Sequence, residues 1–438
     1  MNSNWNMKKL LVGLSLSALM INTCFAQKSV ASVISATSSS NANMSTVRLQ
    51  QIDKLLQAGV NDKWTNGAVA LVIRNGKIAY YKSFGDKDIE NKNPMQKDDI
   101  FRIASQTKAI TSVAVMMLYE EGKFLLDDPI SKYIPAFSNP RVLDTYNEKD
   151  TTYTTVAAKQ EITIRQLLNH TSGISYAQIG EGAMNSIYAK NDIACGLGMH
   201  KKLLGDDIIK LAKLPLLHNP GEKFTYGLNV DVLGNLVEVV SHISLDEFFH
   251  KRIFEPLGMK DTYFFLPPEK QNRLVNLYIV DSAGRLNKSK GYFEVNGNVM
   301  KDYPKTAGIY YAGGAGLSST VMDYAIFLQM LLNYGEYNGK RFLSRNTVRM
   351  MTMNQIGELN MDGCYKFGLG FRITTEKASS LMPMQQGTFS WGGYFSTVYW
   401  VDPKEKIVGL LYRQLSEDKH EDELGDKFKV MVYQAISD

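Results

Sequence analysis

Ser105 and Lys108 are the residues of this sequence whose types and spacing most directly indicate catalysis. They open the stretch 101–122, whose apolar residues recur at the spacing of an amphipathic helix with a buried face. A helix that begins near Ser105 places the hydroxyl and the amine on one face, because residues three apart are neighbours there. A serine hydroxyl is activated when a neighbouring base takes its proton, and a lysine amine with a lowered pKa is such a base. The pair therefore indicates nucleophilic catalysis.

The Ser-x-x-Lys spacing is weak evidence when it stands alone. A serine that caps a helix, followed by a solvated lysine, has the same spacing, and Ser416 and Lys419 repeat it without an apolar helix behind them. The helix N-terminus at Ser105 would add positive potential and free N–H groups that can bind an oxyanion. Support for the chemistry has to come from partners elsewhere in the chain.

Helices and strands that could position the pair are predicted on both sides of it. On the N-terminal side we predict a helix near 48–59 and a hairpin of strands 68–73 and 78–84 around an Asn-Gly turn. On the C-terminal side we predict two helices, at 321–332 and 423–436, and four strands, at 368–374, 388–391, 397–401 and 407–412. The middle is mostly helical, and 147–160 and 180–198 are its least regular parts. This order predicts an α/β (α+β) fold with one sheet assembled from both termini.

Residues 1–26 are typical of a secretory signal peptide. Two lysines precede an apolar run over 10–21, too short to span a membrane, and small residues allow cleavage before Gln27. Acylation of Cys24, which would give a lipoprotein, fits less well because the residue before such a cysteine is usually smaller than Thr23. We therefore expect an exported protein, periplasmic or secreted, with no integral membrane span after cleavage.

The remaining chain is expected to hold a tether and one large domain. Residues 27–48 are rich in serine, alanine and asparagine and are predicted to form a flexible tether. Residues 49–438 are enough for a large core and a second lobe. We predict a sheet lobe over about 49–125 and 305–438, and a helical lobe over about 126–304.

Charge and cysteine content argue against several classes of protein. Loss of Lys8 and Lys9 with the signal peptide lowers the net charge from +5 to +3, and no Lys/Arg cluster indicates nucleic-acid binding. Cys195 and Cys364 then remain; an oxidising compartment permits a disulfide between them, and free thiols are equally compatible with the sequence. No C-x-x-C, H-E-x-x-H or G-x-S-x-G motif occurs, which argues against zinc sites and nucleophile-elbow hydrolases.

Four further stretches accompany the Ser105–Lys108 pair. They read EITIRQLLNHTSGIS at 161–175, PGEKFTYGLNVDVLGNLVEVV at 220–240, GGAGLSSTVMD at 313–323 and FSWGGYFSTVYWVDP at 389–403. With them the chain resembles the serine β-lactamase and penicillin-binding-protein superfamily, specifically the class C β-lactamase-like branch that includes carboxylesterases. The resemblance covers about 49–438 and rests on five motifs in order. It implies a cofactor-free serine hydrolase with a central antiparallel sheet flanked by helices.

The resemblance also implies roles for single residues. Ser105 matches the acylated nucleophile, Lys108 its lysine partner, and Tyr226 the tyrosine that shuttles the proton between nucleophile and leaving group. A phenol with a pKa of about 10 is a poor base at neutral pH. Either positive charge from the lysine activates the tyrosine, or the lysine is itself the base, and the sequence leaves both open.

A glycine-rich strand supplies the other half of the implied site. Trp391, Gly392 and Gly393 fall where the family keeps a substrate-binding strand, and two glycines let a substrate backbone lie alongside. The backbone N–H of Tyr394 matches the second oxyanion donor, beside that of Ser105.

Two departures from the family pattern bear on the substrate. The asparagine expected two residues after the tyrosine is Leu228, with Asn229 one place later as the candidate substrate-binding residue. The cationic residue of the strand motif, which helps to hold a substrate carboxylate in β-lactamases and peptidases, is Trp391. The chemistry is thus expected to be retained and anion recognition lost, unless an arginine such as Arg372 or Arg413 replaces it.

The expected function is hydrolysis of small carboxylic esters through an acyl-enzyme on Ser105, and the expected partner is a small-molecule ester or amide substrate. The alternatives are a β-lactamase or D-amino-acid peptidase, and a non-catalytic penicillin-binding-like module. His170 is interpreted as a loop residue that bonds backbone at a helix end. Asp127-Asp128-Pro129 is interpreted as a turn and not as a pair of catalytic carboxylates.

Overall fold

The computed structural model describes residues 33–36, 38–177, 179–180, 182–193, 197, 201–289, 294–295, 298–299, 303–416 and 418–438. The predicted signal peptide and Cys195 lie outside these residues, so the choice between a Cys195–Cys364 disulfide and free thiols stays open. Cys364 is half-buried.

One large sheet is built from both ends of the chain, as the sequence predicts. Its strands are β1 (Ser35–Ala36), β2 (Gly67–Arg74), β3 (Lys77–Asp88), β4 (Asn93–Pro94), β5 (Tyr365–Phe367), β6 (Arg372–Thr374), β7 (Phe389–Gly393), β8 (Thr397–Asp402) and β9 (Ile407–Tyr412). Their spatial order is β1-β3-β2-β9-β8-β7-β6-β5, and β4 pairs with β3. All pairs are antiparallel except β1 with β3, which is parallel. The predicted antiparallel sheet is confirmed.

The helices described by the structure cover both faces of the sheet and form the second lobe. They are α1 (Thr46–Asn61), α2 (Thr107–Glu120), α3 (Ile164–Leu168), α4 (Gly182–Lys190), α5 (Leu204–Leu211), α6 (Asn229–Ser241), α7 (Leu245–Phe249), α8 (Glu255–Leu257), α9 (Val321–Leu332), α10 (Arg345–Met351), α11 (Glu376–Ser379) and α12 (Glu421–Tyr433). Within the described ranges, none is long and apolar enough to cross a membrane.

Strand β2 shows how the sequence produces three layers. All eight of its residues are buried, and alternate side chains point to opposite faces, as strand geometry requires. Val69, Leu71 and Ile73 join the core shared with α2, α6 and α9. Ala68, Ala70 and Val72 join a second core, with apolar residues of α1 and α12. The sheet therefore lies between two helical layers.

Short strand pairs complete the fold in the described residues. They are Arg141–Tyr146 with Tyr153–Ala157, Tyr278–Val280 with Leu286–Lys288 and with Leu415–Ser416, Phe101–Arg102 with Ser318–Ser319, Glu336–Tyr337 with Lys340–Arg341, and Glu294–Val295 with Asn298–Val299. The hairpin 141–157 corrects the expectation that 147–160 is irregular. Its second strand, with the sequence YTTVA, is almost entirely exposed, so its apolar residues do not alternate with polar ones as in a half-buried strand.

Part of the predicted tether is folded. Ser35 and Ala36 pair with Lys77 and Ile78, and Met44 is buried against the core that α1 and α12 form. The boundary predicted at residue 48 is therefore wrong for the described residues from 33 onward. The polar composition of 27–48 did not reveal the strand at Ser35–Ala36, because a short edge strand is stabilised by backbone hydrogen bonds and not by apolar side chains.

Only the last three residues of the predicted strand 368–374 form a strand, β6, and residues 368–371 form the connection from β5 to it. Between them, the N–H of Leu369 donates to the carbonyl of Met351 and the N–H of Gly370 donates to that of Leu168, so these groups leave the sheet. This detour lets the chain reach the end of α3. It also brings Arg372 next to β7, where it pairs with Ser390.

Candidate active site

Ser105 lies on a tight turn between a strand and a buried helix. The strand Phe101–Arg102 leads into a 3-10 turn over Ala104–Gln106, and α2 follows from Thr107. Ala104 has a φ of 41°, a left-handed conformation that is uncommon for alanine and is kept by the surrounding contacts. The N–H of Ile103 donates to the carbonyl of Leu317. Ser105 is thereby held half-buried at the wall of a cavity.

Lys108 is buried, and its amine lies among hydrogen-bond acceptors. Nζ lies 3.3 Å from the Ser105 hydroxyl, 2.8 Å from the Tyr176 hydroxyl and 2.7 Å from the carbonyl oxygen of Gly314. It also lies 4.7 Å from the ring centroid of Tyr226, where the π face stabilises a positive charge. The Ser105–Lys108 contact expected from the spacing is thus present, and the lysine is not solvated as a simple helix-capping arrangement would leave it.

Tyr226 lies on the loop before α6 and faces the same cavity. Its hydroxyl accepts a hydrogen bond of 3.4 Å from the indole Nε1 of Trp391, and the two ring centroids are 5.3 Å apart. Tyr226 lines the cavity with Ser105. The structure therefore brings together the serine, lysine and tyrosine that the sequence singles out, although Lys108 meets the ring of Tyr226 and not its hydroxyl.

Tyr176 is a site residue that the sequence analysis missed. It follows the Asn-His-Thr-Ser-Gly segment, is only 4% exposed, and its hydroxyl accepts the 2.8 Å bond from Lys108. The loop that carries it is joined to the Tyr226 loop, because the N–H of Leu228 donates to the carbonyl of Ser175. No local pattern distinguishes Tyr176 from any buried aromatic residue; only the fold places it beside the amine.

Asn229 lies behind the site and not in the cavity. It is fully buried, its amide donates to Nδ1 of His170 over 3.0 Å, and its carbonyl accepts from the hydroxyl of Ser172. The direct substrate contact predicted for Asn229 is therefore not observed. Its hydrogen bonds instead join the 170–174 loop to the start of α6.

His170 is part of the same support. Burial, and secondarily the charge of Lys108, lower its pKa well below the usual histidine value, so the imidazole is neutral. Its Nδ1 accepts from Asn229, and its backbone carbonyl accepts from the N–H of Thr225. It bonds neither Ser105 nor Lys108, which agrees with its interpretation as a loop residue. The backbone bond predicted for His170 is made by its own carbonyl, whereas its ring bonds the Asn229 side chain.

The glycine-rich end of β7 packs directly on the turn that carries the serine. A Cβ at Gly393 would collide with the carbonyl oxygen of Ile103, so glycine is required for this approach. Trp391, Gly392, Gly393 and Tyr394 all line the cavity with Ser105. The two predicted oxyanion donors, the backbone N–H groups of Ser105 and Tyr394, thus belong to residues that line the same cavity.

The cavity has a volume of about 1000 Å³. Near Ser105 its wall is largely aromatic, with Tyr226, Trp391 and Tyr394. Arg372 also lines it; its guanidinium donates to the Ser390 hydroxyl over 3.3 Å and has no carboxylate partner in the described residues. The lining also includes six charged residues, Asp281, Lys419, Glu421, Asp422, Asp426 and Lys429.

The other arginine named from the sequence cannot bind a substrate. Arg413 is 1% exposed and forms an ion pair of 2.6 Å with Asp418. Asp127 and Asp128 are also structural, because the first pairs with Arg165 and the second accepts from the N–H of Leu125. Among the described residues, no group of three or more His, Cys, Asp or Glu side chains is placed to hold a metal ion.

Comparisons of this chain with known proteins agree with one another on its family. A sequence model of the beta-lactamase family matches residues 52–429. Protein Rv1367c of Mycobacterium tuberculosis is 33% identical, covering 79% of this chain and 85% of its own length. Esterase EstB of Burkholderia gladioli is 29% identical, covering 85% and 91%. Among solved structures, EstCE1, described as a hydrolase with promiscuous acyltransferase activity, has a TM-score of 0.74 at 24% identity, covering 90% of this chain and 99% of its own.

Proposed function

Because the chain belongs to the beta-lactamase family, we propose that it is an exported serine hydrolase that cleaves small carboxylic esters through an acyl-enzyme on Ser105. The observation that carries the proposal is the 3.3 Å contact between the Ser105 hydroxyl and the buried amine of Lys108, at the wall of a cavity about 1000 Å³ in volume. The similarity to Esterase EstB supports the choice of esters.

In the proposed reaction, Ser105 Oγ attacks the ester carbonyl while its proton passes to the Lys108–Tyr226 pair. The carbonyl oxygen takes up the negative charge and is stabilised by the backbone N–H groups of Ser105 and Tyr394. The C–O bond to the alcohol then breaks, and the alcohol leaves with the proton from Tyr226. A water molecule attacks the acyl-enzyme by the same steps in reverse order and releases the acid and the free serine.

The preference for esters rests on Trp391. A lysine or histidine at this position could form a charge-assisted hydrogen bond to a substrate carboxylate, worth about 1.5–3 kcal/mol. The indole donates one neutral bond, and its Nε1 is already directed at Tyr226. Its ring lines the cavity as an apolar wall and is supported from behind by the buried Phe367, whose ring centroid lies 5.3 Å away. Such a wall suits a neutral acyl or alkoxy group.

The direct test compares kcat/KM for a series of p-nitrophenyl esters with that for a chromogenic cephalosporin on the wild-type protein. We expect turnover of short neutral esters far above that of the cephalosporin. A wild-type preference for the cephalosporin would overturn the esterase proposal and favour a β-lactamase. Absence of any turnover, together with absence of fluorophosphonate labelling, would favour a non-catalytic module.

Replacement of Trp391 by lysine should change the two substrates in opposite directions. Trp391→Lys is expected to raise kcat/KM for the cephalosporin about tenfold to a hundredfold, because one charge-assisted bond is added. It should lower kcat/KM for neutral esters, because the apolar wall is lost. Both values are measured on wild type and variant.

Arg372 provides the competing explanation for carboxylate binding, since it lines the cavity without a carboxylate partner in the described residues. Under that explanation, the wild type already opens cephalosporins and Trp391→Lys changes both substrates alike. Arg372→Gln is the matched variant, and a selective loss of cephalosporin turnover would assign carboxylate binding to this arginine.

Export is tested at the N-terminus. Expressed in a secreting bacterial host, the mature protein is expected to begin at Gln27, which mass spectrometry of the intact protein can measure. Recovery of a lipid-bearing Cys24 at the N-terminus would show an anchored protein instead, and an uncleaved Met1 in the cytoplasmic fraction would contradict export.

A further inference from the structure

Asp231 is a buried carboxylate to which the proposed reaction gives no role. It lies in the first turn of α6 and is 2% exposed. Its Oδ1 accepts a 3.2 Å hydrogen bond from the N–H of Gly314, while its Oδ2 is buried and has no hydrogen-bond partner in the described residues. A buried carboxylate that is only half satisfied destabilises a fold, so its presence calls for a physical reason.

Gly314 joins Asp231 to the catalytic amine. The N–H of Gly314 donates to Asp231, and the carbonyl oxygen of the same residue accepts the 2.7 Å bond from Lys108 Nζ. The preceding carbonyl, that of Gly313, accepts a 2.7 Å bond from the hydroxyl of Thr111. The 313–314 segment is thus fixed between α2 and α6, with the lysine on one side and the carboxylate on the other.

The packing around Gly314 is as tight as this arrangement requires. A Cβ at Gly314 would collide with Oδ2 of Asp231, the oxygen that lacks a partner. Oδ2 of Asp231 therefore packs against the backbone of Gly314, the residue whose carbonyl oxygen accepts the hydrogen bond from Lys108. Any other side chain at position 314 would displace either the carboxylate or that carbonyl.

The charged and titratable groups around this chain of contacts are few. Lys108 on α2 is the cation that acts on the Asp231 carboxyl, and Asp207 on α5 is the second acid near it. Burial raises the pKa of Asp231, and Lys108 and the Gly314 N–H oppose that change. His170, Tyr176 and Tyr226 surround the lysine itself.

A purely structural role explains less of what is seen. An acidic residue in the first turn of a helix stabilises the helix dipole, and Asp231 has that position. An exposed aspartate would serve the dipole equally well without the cost of burial. The dipole does not explain why the carboxylate faces Gly314, whose carbonyl oxygen accepts a hydrogen bond from the Lys108 amine.

We propose that Asp231 is a positioning residue that acts through Gly314: its side chain fixes the carbonyl that holds Lys108 Nζ beside Ser105. This inference rests on the proposed serine-hydrolase function. It assigns Asp231 no contact with the substrate, since Asp231 does not line the cavity.

The test measures the rate at which a fluorophosphonate probe modifies Ser105, per folded molecule as determined by circular dichroism. Asp231→Ala and Gly314→Ala are expected to lower the rate about 100-fold, the loss typical of a small displacement of a catalytic group. The KM for a p-nitrophenyl ester should stay unchanged. Asp231→Asn keeps the shape and an acceptor for the Gly314 N–H, so its labelling rate should stay within about tenfold of the wild-type rate.

Asp402→Asn is the matched control, since Asp402 is another fully buried aspartate, bonded by Tyr433 on the opposite face of the sheet. It should lower stability while leaving the labelling rate per folded molecule unchanged. The inference is overturned if Asp231→Asn loses as much rate as Asp231→Ala, or if Asp231→Ala behaves like the control. A wild-type protein that is not labelled at Ser105 would overturn the proposed function itself, and the inference with it, in a separate arm of the experiment.

Discussion

Ser105→Ala is expected to abolish both fluorophosphonate labelling and ester turnover. Loss of the nucleophile in other serine hydrolases costs on the order of 10⁶ in kcat, so we expect at least a roughly 10⁴-fold fall here. In the described residues the Lys108 amine contacts two hydroxyls, those of Ser105 and Tyr176. Tyr176 does not line the cavity, so its hydroxyl cannot take over the role of the nucleophile. The measurement is intact-protein mass after labelling, together with kcat/KM for a p-nitrophenyl ester.

Ser416→Ala is the control, because Ser416 repeats the Ser-x-x-Lys spacing but lies on a short strand paired with Tyr278 and Ile279. It should keep wild-type labelling and turnover. Labelling that persists in Ser105→Ala and disappears in Ser416→Ala would show that the nucleophile has been assigned to the wrong segment.

Tyr226→Phe is expected to fold normally and to lose most of its rate. A positioned general acid–base contributes ~10²–10⁴-fold, and Tyr226 is the tyrosine that both lines the cavity and borders Lys108. Its hydroxyl has one contact in the described residues, the 3.4 Å bond from Trp391, so its removal leaves only the indole N–H without a partner. The loss should appear in kcat, with the melting temperature close to that of the wild type.

Tyr176→Phe makes this prediction decisive, because Tyr176 is the tyrosine whose hydroxyl bonds Lys108 directly. Tyr176 is buried and does not line the cavity, so Tyr176→Phe should lower kcat by no more than about tenfold, the effect of one hydrogen bond of about 0.5–1.5 kcal/mol. If the two variants exchange their effects, with Tyr176→Phe losing a hundredfold or more and Tyr226→Phe nearly none, Tyr176 is the proton carrier.

The parts of the fold that could be predicted are those with a local signal. The Asn-Gly turn and its flanking apolar runs placed β2 and β3 within a few residues, and the helix 321–332 and the strand 407–412 agree with α9 and β9 residue for residue. The helix at Ser105 was displaced by two residues, because the chain first forms a 3-10 turn that no periodicity reveals.

The parts of the site that could not be predicted depend on contacts between distant segments. Ser105, Lys108, Tyr226 and Trp391 could be named from motifs, and the structure brings them together. Tyr176, which is 68 residues from Lys108, reaches the amine only through the packing of two loops. Asn229 fails as a substrate contact for the same reason: its position in sequence is near the tyrosine, but the start of α6 turns its side chain into the core.

The sheet that draws strands from both ends of the chain also determines when the protein can fold. Strand β2 is buried along its whole length and is hydrogen-bonded to β9. Residues 67–74 therefore cannot complete their strand pairing until residues 407–412 have been synthesised. Closing a loop of that size is entropically costly, and such long-range pairings make folding slow. Until then β2 presents an unpaired apolar edge of the kind that promotes aggregation. A nascent chain released before β9 is made therefore cannot complete the sheet, and a truncation of the last forty residues should yield insoluble protein rather than a smaller active enzyme.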